Sequence, residues 1–184
     1  IKYNSPVILS YTFLALIVMV IYSMGFVGVQ ELFSLPATFN TTSVLDYFRL
    51  ISHVIGHANW QHLFGNFTII LLVGPILEEK YGSRNLLFMI LITALVTGLL
   101  HSFLFSNGLL GASGVVFMMI ILSSFTNQDG HTIPLTFLLV AFIFLGKEVN
   151  DMFRDDNVSQ LAHIIGGVAG SVFGFVTYNK KLAE

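Results

Sequence analysis

The sequence predicts an all-α fold, a polytopic membrane bundle of six transmembrane helices in which the fourth is short and starts inside the membrane. Three observations predict it. The chain has 55% hydrophobic and only 10% charged residues, with a mean hydropathy of +0.83, which leaves too little polar surface to coat a water-soluble globule. Its apolar residues gather into six stretches, near 6–28, 61–77, 86–105, 112–126, 132–147 and 160–178. A hydrocarbon core of roughly 30 Å asks for about 20 mostly apolar residues per helical span. The fourth stretch falls short: the 14 residues from Ala112 to Phe125 rise roughly 21 Å as a helix.

The first stretch, Pro6 to Val29, is long enough to stay in the membrane, and no small-residue cleavage pattern follows it, so it reads as a span and not as a cleavable signal. The start at Ile1-Lys2, without methionine, leaves room for an N-terminal extension ahead of this membrane core. Between the first two spans, Gln30 to Trp60 carries Pro36, a Thr/Ser/Asn cluster and the mixed run Leu45-Asp46-Tyr47-Phe48-Arg49, a composition suited to the membrane interface. The remaining connections are short, and no linker divides the chain, so residues 1–184 read as one domain. An N-terminus on the cytoplasmic side places Lys2, Lys80, Arg84, Lys180 and Lys181 there against Arg49, Lys147 and Arg154 outside. That bias predicts a multi-pass protein of the cell membrane with both termini cytoplasmic.

A net charge of −2 with no lysine or arginine cluster excludes a nucleic-acid partner. Zero cysteines exclude disulfides, thiolate metal sites and cysteine nucleophiles. The chemistry that remains lies inside the spans, where a polar side chain needs a reason to stay. Ser113 stands in Gly111-Ala112-Ser113-Gly114 at the start of the short fourth span. If that helix begins at depth, the loop Ser106 to Gly111 is irregular backbone lining a water-filled cavity. Ser113 then sits on a helical first turn whose free N–H groups favour developing negative charge.

His163 opens a run in which Gly166, Gly170 and Gly174 follow at offsets of 3, 7 and 11, so the imidazole and a stripe without side chains share one helix face. Such a stripe lets another backbone come very close. Close approach to the fourth helix brings imidazole and hydroxyl within reach, and a serine needs a base to become a nucleophile. His62 and Asn66, four apart on the second span, share a face and can jointly donate hydrogen bonds to an oxyanion. No acid lies within the spans near His163, which points to a Ser-His dyad without a third carboxylate.

In this order, Gly111-x-Ser113-Gly114, Ala162-His163-x-x-Gly166-x-x-x-Gly170 and His62-x-x-x-Asn66 resemble the rhomboid intramembrane serine proteases, over roughly Arg49 to Phe175. The resemblance implies Ser113 as nucleophile, His163 as general base, and His62, Asn66 and the Ser113 backbone N–H as oxyanion donors. It implies cleavage of transmembrane segments of other membrane proteins with no cofactor, and a structural role for Glu78. Departures are Phe48-Arg49 where the family often carries an aromatic pair, and Phe117 where it carries a tyrosine; Phe117 is still able to stack on His163.

Other readings compete. A non-catalytic rhomboid-like protein that binds transmembrane segments is the main alternative, and a small-solute transporter is disfavoured by the absence of charges within the spans and of an internal repeat. His53, His57 and His62, at offsets of four and five, could gather around a metal, but no His-Glu-x-x-His pattern is present and Gly56 with Asn59-Trp60 breaks the helix between them. His53 and His57 are instead expected to hydrogen-bond within the interfacial loop, and Glu78, Glu79, Lys80 and Arg84 to form a water-facing turn. The fifth span, Phe137 to Leu145, is poor in packing glycine and is expected to act as a lateral gate, flanked by the acidic segment Glu148 to Asp156 as a mobile loop.

Overall fold

The computed structural model of the chain describes residues 3–124, 135–140, 142–143 and 160–182. Among them the regular structure is helical: α1 (Pro6–Ser23), α2 (Val27–Leu32), α3 (Val44–Ser52), α4 (Trp60–Tyr81), α5 (Ser83–Leu104), α6 (Ser113–Ser123) and α7 (Gln160–Leu182). Three of these, α1, α4 and α5, are long and apolar enough to cross a membrane. Residues 135–140 and 142–143 are also helical; the rest of the expected gate, and the acidic segment Glu148 to Asp156, lie outside the described residues.

The first span is shorter than its hydropathy predicts. Gly25, with φ +96°, ends the helix after Ser23, and Val27 opens the separate short helix α2. A left-handed residue cannot continue a right-handed helix, and glycine takes that conformation without steric cost. The opposite happens at the second span. Its helix runs on through Glu78, Glu79 and Lys80 to Tyr81, where the sequence suggested a turn, and Gly82 at φ +79° separates it from Ser83 of α5.

Glu78 explains why that end of α4 is helical. Its carboxylate is buried and accepts the N–H of Val7 and of Ile8, each at 3.0 Å, together with the Ser83 hydroxyl at 2.7 Å. The first N–H groups of any helix lack intrahelical partners, and α1, which starts on Pro6 with no side-chain cap of its own, receives its cap from α4. A carboxylate at a helix N-terminus also meets the favourable end of the helix dipole.

The interfacial connection folds into α2 and α3 with ordered loops. Ser43 caps α3 by accepting the Asp46 N–H at 3.3 Å. The Asp46 carboxylate accepts the Asn40 N–H and an Arg49 N–H, each at 2.9 Å. The Asn40 N–H, with Arg49 beside it, holds Asp46 below the usual carboxylate range against the opposing effect of burial. Gly98 of α5 lets this segment dock: a Cβ there would stand 2.5 Å from the Leu50 carbonyl.

At the centre lies α6, only 11 residues long, or roughly 16 Å. Val115, Met118, Met119 and Leu122 are fully buried, as expected of a helix that is apolar on every side. It packs against α4, α5 and most extensively α7. The crossing with α7 is a backbone contact. A Cβ on Gly166 would collide with the Gly114 carbonyl, one on Gly170 with the Met118 carbonyl, and one on Gly114 would stand 3.0 Å from the Ala162 carbonyl. The outer helices meanwhile expose large apolar side chains, Leu72 at 71% and Phe103 at 82% among them, a surface that lipid can solvate and water cannot.

Two outcomes test this packing by thermal unfolding in detergent. Gly166→Ala is expected to destabilise by about 1–3 kcal/mol because the carbonyl in its way belongs to a helix backbone and cannot rotate aside, whereas Gly65→Ala, with nothing within 4 Å, is expected to be neutral or slightly stabilising. Glu78→Ala is expected to cost on the order of 2–3 kcal/mol through loss of charge-assisted bonds to two backbone N–H groups; an unchanged midpoint would remove the interhelix cap from this account.

Candidate active site

The loop before α6 is fixed on both sides by the interfacial connection. Leu35 and Leu109 exchange a pair of backbone hydrogen bonds, 2.8 and 3.1 Å, in an isolated antiparallel bridge. The Gly111 N–H then donates to the His53 carbonyl at 2.9 Å, and the Ala112 N–H donates to His57 Nε2 at 3.4 Å. Two successive N–H groups are thereby occupied just ahead of the helix. Ser113 is the first residue of α6, so its N–H is the next in line and belongs to the set that a helix leaves without intrahelical partners.

Gly111 is required here twice over. Its φ is +118°, in the region that favours glycine. A Cβ there would also fall 2.5 Å from Cε1 and 2.8 Å from Nε2 of His62. The His62 imidazole therefore lies directly over the backbone that leads into Ser113. His62 is itself fixed on the first turn of α4, where Asn59 caps the helix by accepting the His62 N–H at 2.8 Å.

His163 stands on α7 beside Ala162, the residue whose carbonyl faces Gly114. Ser113 and His163 are each the chain neighbour of a residue in that backbone contact. Phe117, one turn after Ser113 on α6, holds its ring 4.4 Å from the His163 ring at an interplanar angle of 41°. Phe117 thus meets the His163 ring, as expected, but at a tilt and not in a parallel stack. His163 is buried and Ser113 half-buried. The only buried acids among the described residues, Asp46 and Glu78, are committed to α3 and to the start of α1 as described above.

The expectation for Asn66 and the upstream histidines needs amendment. Asn66 is buried, and its Nδ2 lies 3.0 Å from His57 Nε2, so part of its amide is engaged before any oxyanion arrives. His57 is not confined to its own loop. Its Nδ1 donates to the Ile55 carbonyl at 3.1 Å, since a carbonyl can only accept, and this leaves Nε2 as the acceptor for both Asn66 and Ala112. Its ring also meets His62 edge-on at 4.9 Å. Sequence spacing did not show this, because His57 lies in irregular chain where helical offsets to His62 and Asn66 have no meaning.

His53 donates from Nδ1 to the Arg49 carbonyl at 3.2 Å, as expected of a loop histidine. Burial pushes both His53 and His57 down to about 4, with the backbone carbonyls opposing the shift in each, so both rings are neutral near pH 7. Both Nδ1 atoms are spent on backbone, and among the described residues no three His, Cys, Asp or Glu side chains gather as metal ligands would. Where the sequence has Phe48-Arg49, Phe48 packs against Phe33 with ring centroids 6.1 Å apart and Arg49 pairs with Asp46.

The chain can be set beside known proteins on this geometry. Residues 45–180 match the family model described as the Rhomboid domain. The chain is similar to the rhomboid protease GlpG of Haemophilus influenzae, 26% identical over 136 residues that cover 71% of this chain and 70% of that protein. It is also similar to rhomboid-related protein 1 of Caenorhabditis elegans, 35% identical over 144 residues, 71% of this chain but 40% of that longer protein. With a match over most of its length and a short central helix carrying Ser113 against a glycine-striped helix carrying His163, the chain belongs to the rhomboid family, whose members are integral membrane proteins.

Proposed function

We propose that this protein is an intramembrane serine endopeptidase that cleaves transmembrane segments of other membrane proteins with a Ser113–His163 dyad. The observation that supports the reading is the α6–α7 crossing, where Gly114 and Ala162, the chain neighbours of Ser113 and His163, are in backbone contact and the Phe117 ring lies 4.4 Å from the His163 ring. His163 acts as general base toward the Ser113 hydroxyl, which attacks the scissile carbonyl, and then returns the proton to the leaving amine. His62, Asn66 and the Ser113 N–H donate to the tetrahedral oxyanion. Water completes the cycle by hydrolysing the acyl-enzyme.

In this reading the chain makes six spans with both termini cytoplasmic, and α6 begins inside the bilayer beneath a water-filled cavity. Substrate arrives laterally past the fifth span. Its cleaved segment contains helix-breaking residues, because an intact helix keeps its carbonyls hydrogen-bonded and shielded. A cross-link fixing the fifth span to α4 that leaves cleavage intact would refute the lateral gate.

Treatment of the detergent-solubilised protein with a fluorophosphonate, followed by mass spectrometry, tests the dyad directly. Labelling is expected at Ser113 and is expected to disappear in Ser113→Ala and His163→Ala, both folded. A folded parent protein that takes no label favours a non-catalytic binder of transmembrane segments. Asn66→Ala is expected to lower kcat about 10- to 1000-fold, the range for loss of one oxyanion donor, measured on a fluorogenic transmembrane peptide.

A further inference from the structure

We infer that His57 is a positioning residue for the oxyanion site, holding the Asn66 amide and the backbone ahead of Ser113 in register through a single acceptor atom. The inference rests on the reading of the site given above and extends it to a residue that touches no substrate. His57 is buried at 2% exposure in the loop between α3 and α4, and its imidazole joins three separate pieces of chain. Nδ1–H donates to the Ile55 carbonyl at 3.1 Å, which fixes the tautomer and ties the ring to its own loop. Nε2 accepts from Asn66 Nδ2 at 3.0 Å on α4 and from the Ala112 N–H at 3.4 Å at the start of α6.

Both donors that converge on Nε2 are neighbours of groups assigned to the oxyanion. The Ala112 N–H precedes the Ser113 N–H in the chain, and only the φ and ψ of Ala112 separate the two peptide planes. For Asn66, an N–H directed to His57 determines which way the rest of the amide faces. The His62 ring, edge-on to His57 at 4.9 Å, is located by the same imidazole. Outer partners of this kind orient the groups that do the chemistry. An acceptor is essential in this position: protonated on Nε2, the ring would present a donor to two donors. Burial, which keeps His57 neutral down to about pH 4, preserves that acceptor.

The test compares His57→Leu, which fills the space without an acceptor, with His57→Gln, whose amide oxygen can replace Nε2. Cleavage of a fluorogenic transmembrane peptide in detergent micelles is measured as separate kcat and KM, alongside the rate of Ser113 phosphonylation and the thermal midpoint. His57→Leu is expected to lower kcat and the phosphonylation rate together by about 10- to 100-fold, with KM within about twofold, the signature of an effect confined to the transition state. His57→Gln is expected to recover at least half of that loss on a logarithmic scale, and it carries the test should His57→Leu not fold. In the double variant with Asn66→Ala, the loss is expected to match the larger single loss instead of the product of the two. Unchanged kcat in folded His57→Leu overturns the inference, as do independent, multiplying losses in the double variant or a His57→Gln no better than His57→Leu. Absence of Ser113-dependent turnover in the parent protein overturns the site reading itself.

Discussion

Everything at the centre of this molecule depends on the direct backbone contact between α6 and α7. Gly114 meets Ala162 and Gly166, and Gly170 meets Met118, at the level of the backbone. In lipid there is no hydrophobic drive between apolar helices, so association relies on close packing, and small residues are what permit it. The proposed chemistry depends on the same contact. Two helices held apart by leucines would separate their axes to the usual 8–10 Å, and side chains as short as serine would struggle to reach across. Packing and site geometry are one constraint here.

A second constraint is the satisfaction of backbone groups where water is scarce. Among the described residues, the loop before α6 is bridged to Leu35 and tied to His53 and His57, and α1 borrows its cap from Glu78. An unsatisfied backbone group in hydrocarbon costs several kcal/mol. The interfacial connection therefore does more than join two spans. It supplies the hydrogen-bonding partners that allow a helix to begin at Ser113 in the interior of the bundle.

Much of this was legible beforehand. The glycine stripe was readable because helical offsets convert spacing directly into a shared face, and the shortness of the fourth helix was readable because length in residues is length in ångströms. Phe117 was readable from the family resemblance, as the residue standing where the family carries a tyrosine, and its ring does meet His163. Helix ends were less legible. Hydropathy placed the end of the first span past Gly25 and the end of the second before Glu78, since it registers solvent preference, whereas termini are decided by backbone conformation and by capping partners distant in sequence.

The sequence by itself determined the solvent of this protein, its helical class and which residues share each helix face, because composition and period are local properties that any fold must respect. Only the tertiary structure decided how His57 is used. It lies nine residues from Asn66 and 55 from Ala112, across a turn of irregular chain, and no periodicity links the three. Their meeting is a consequence of where the loop, α4 and α6 come to rest against one another, and hydrogen bonds between such distant segments exist only once that packing is complete.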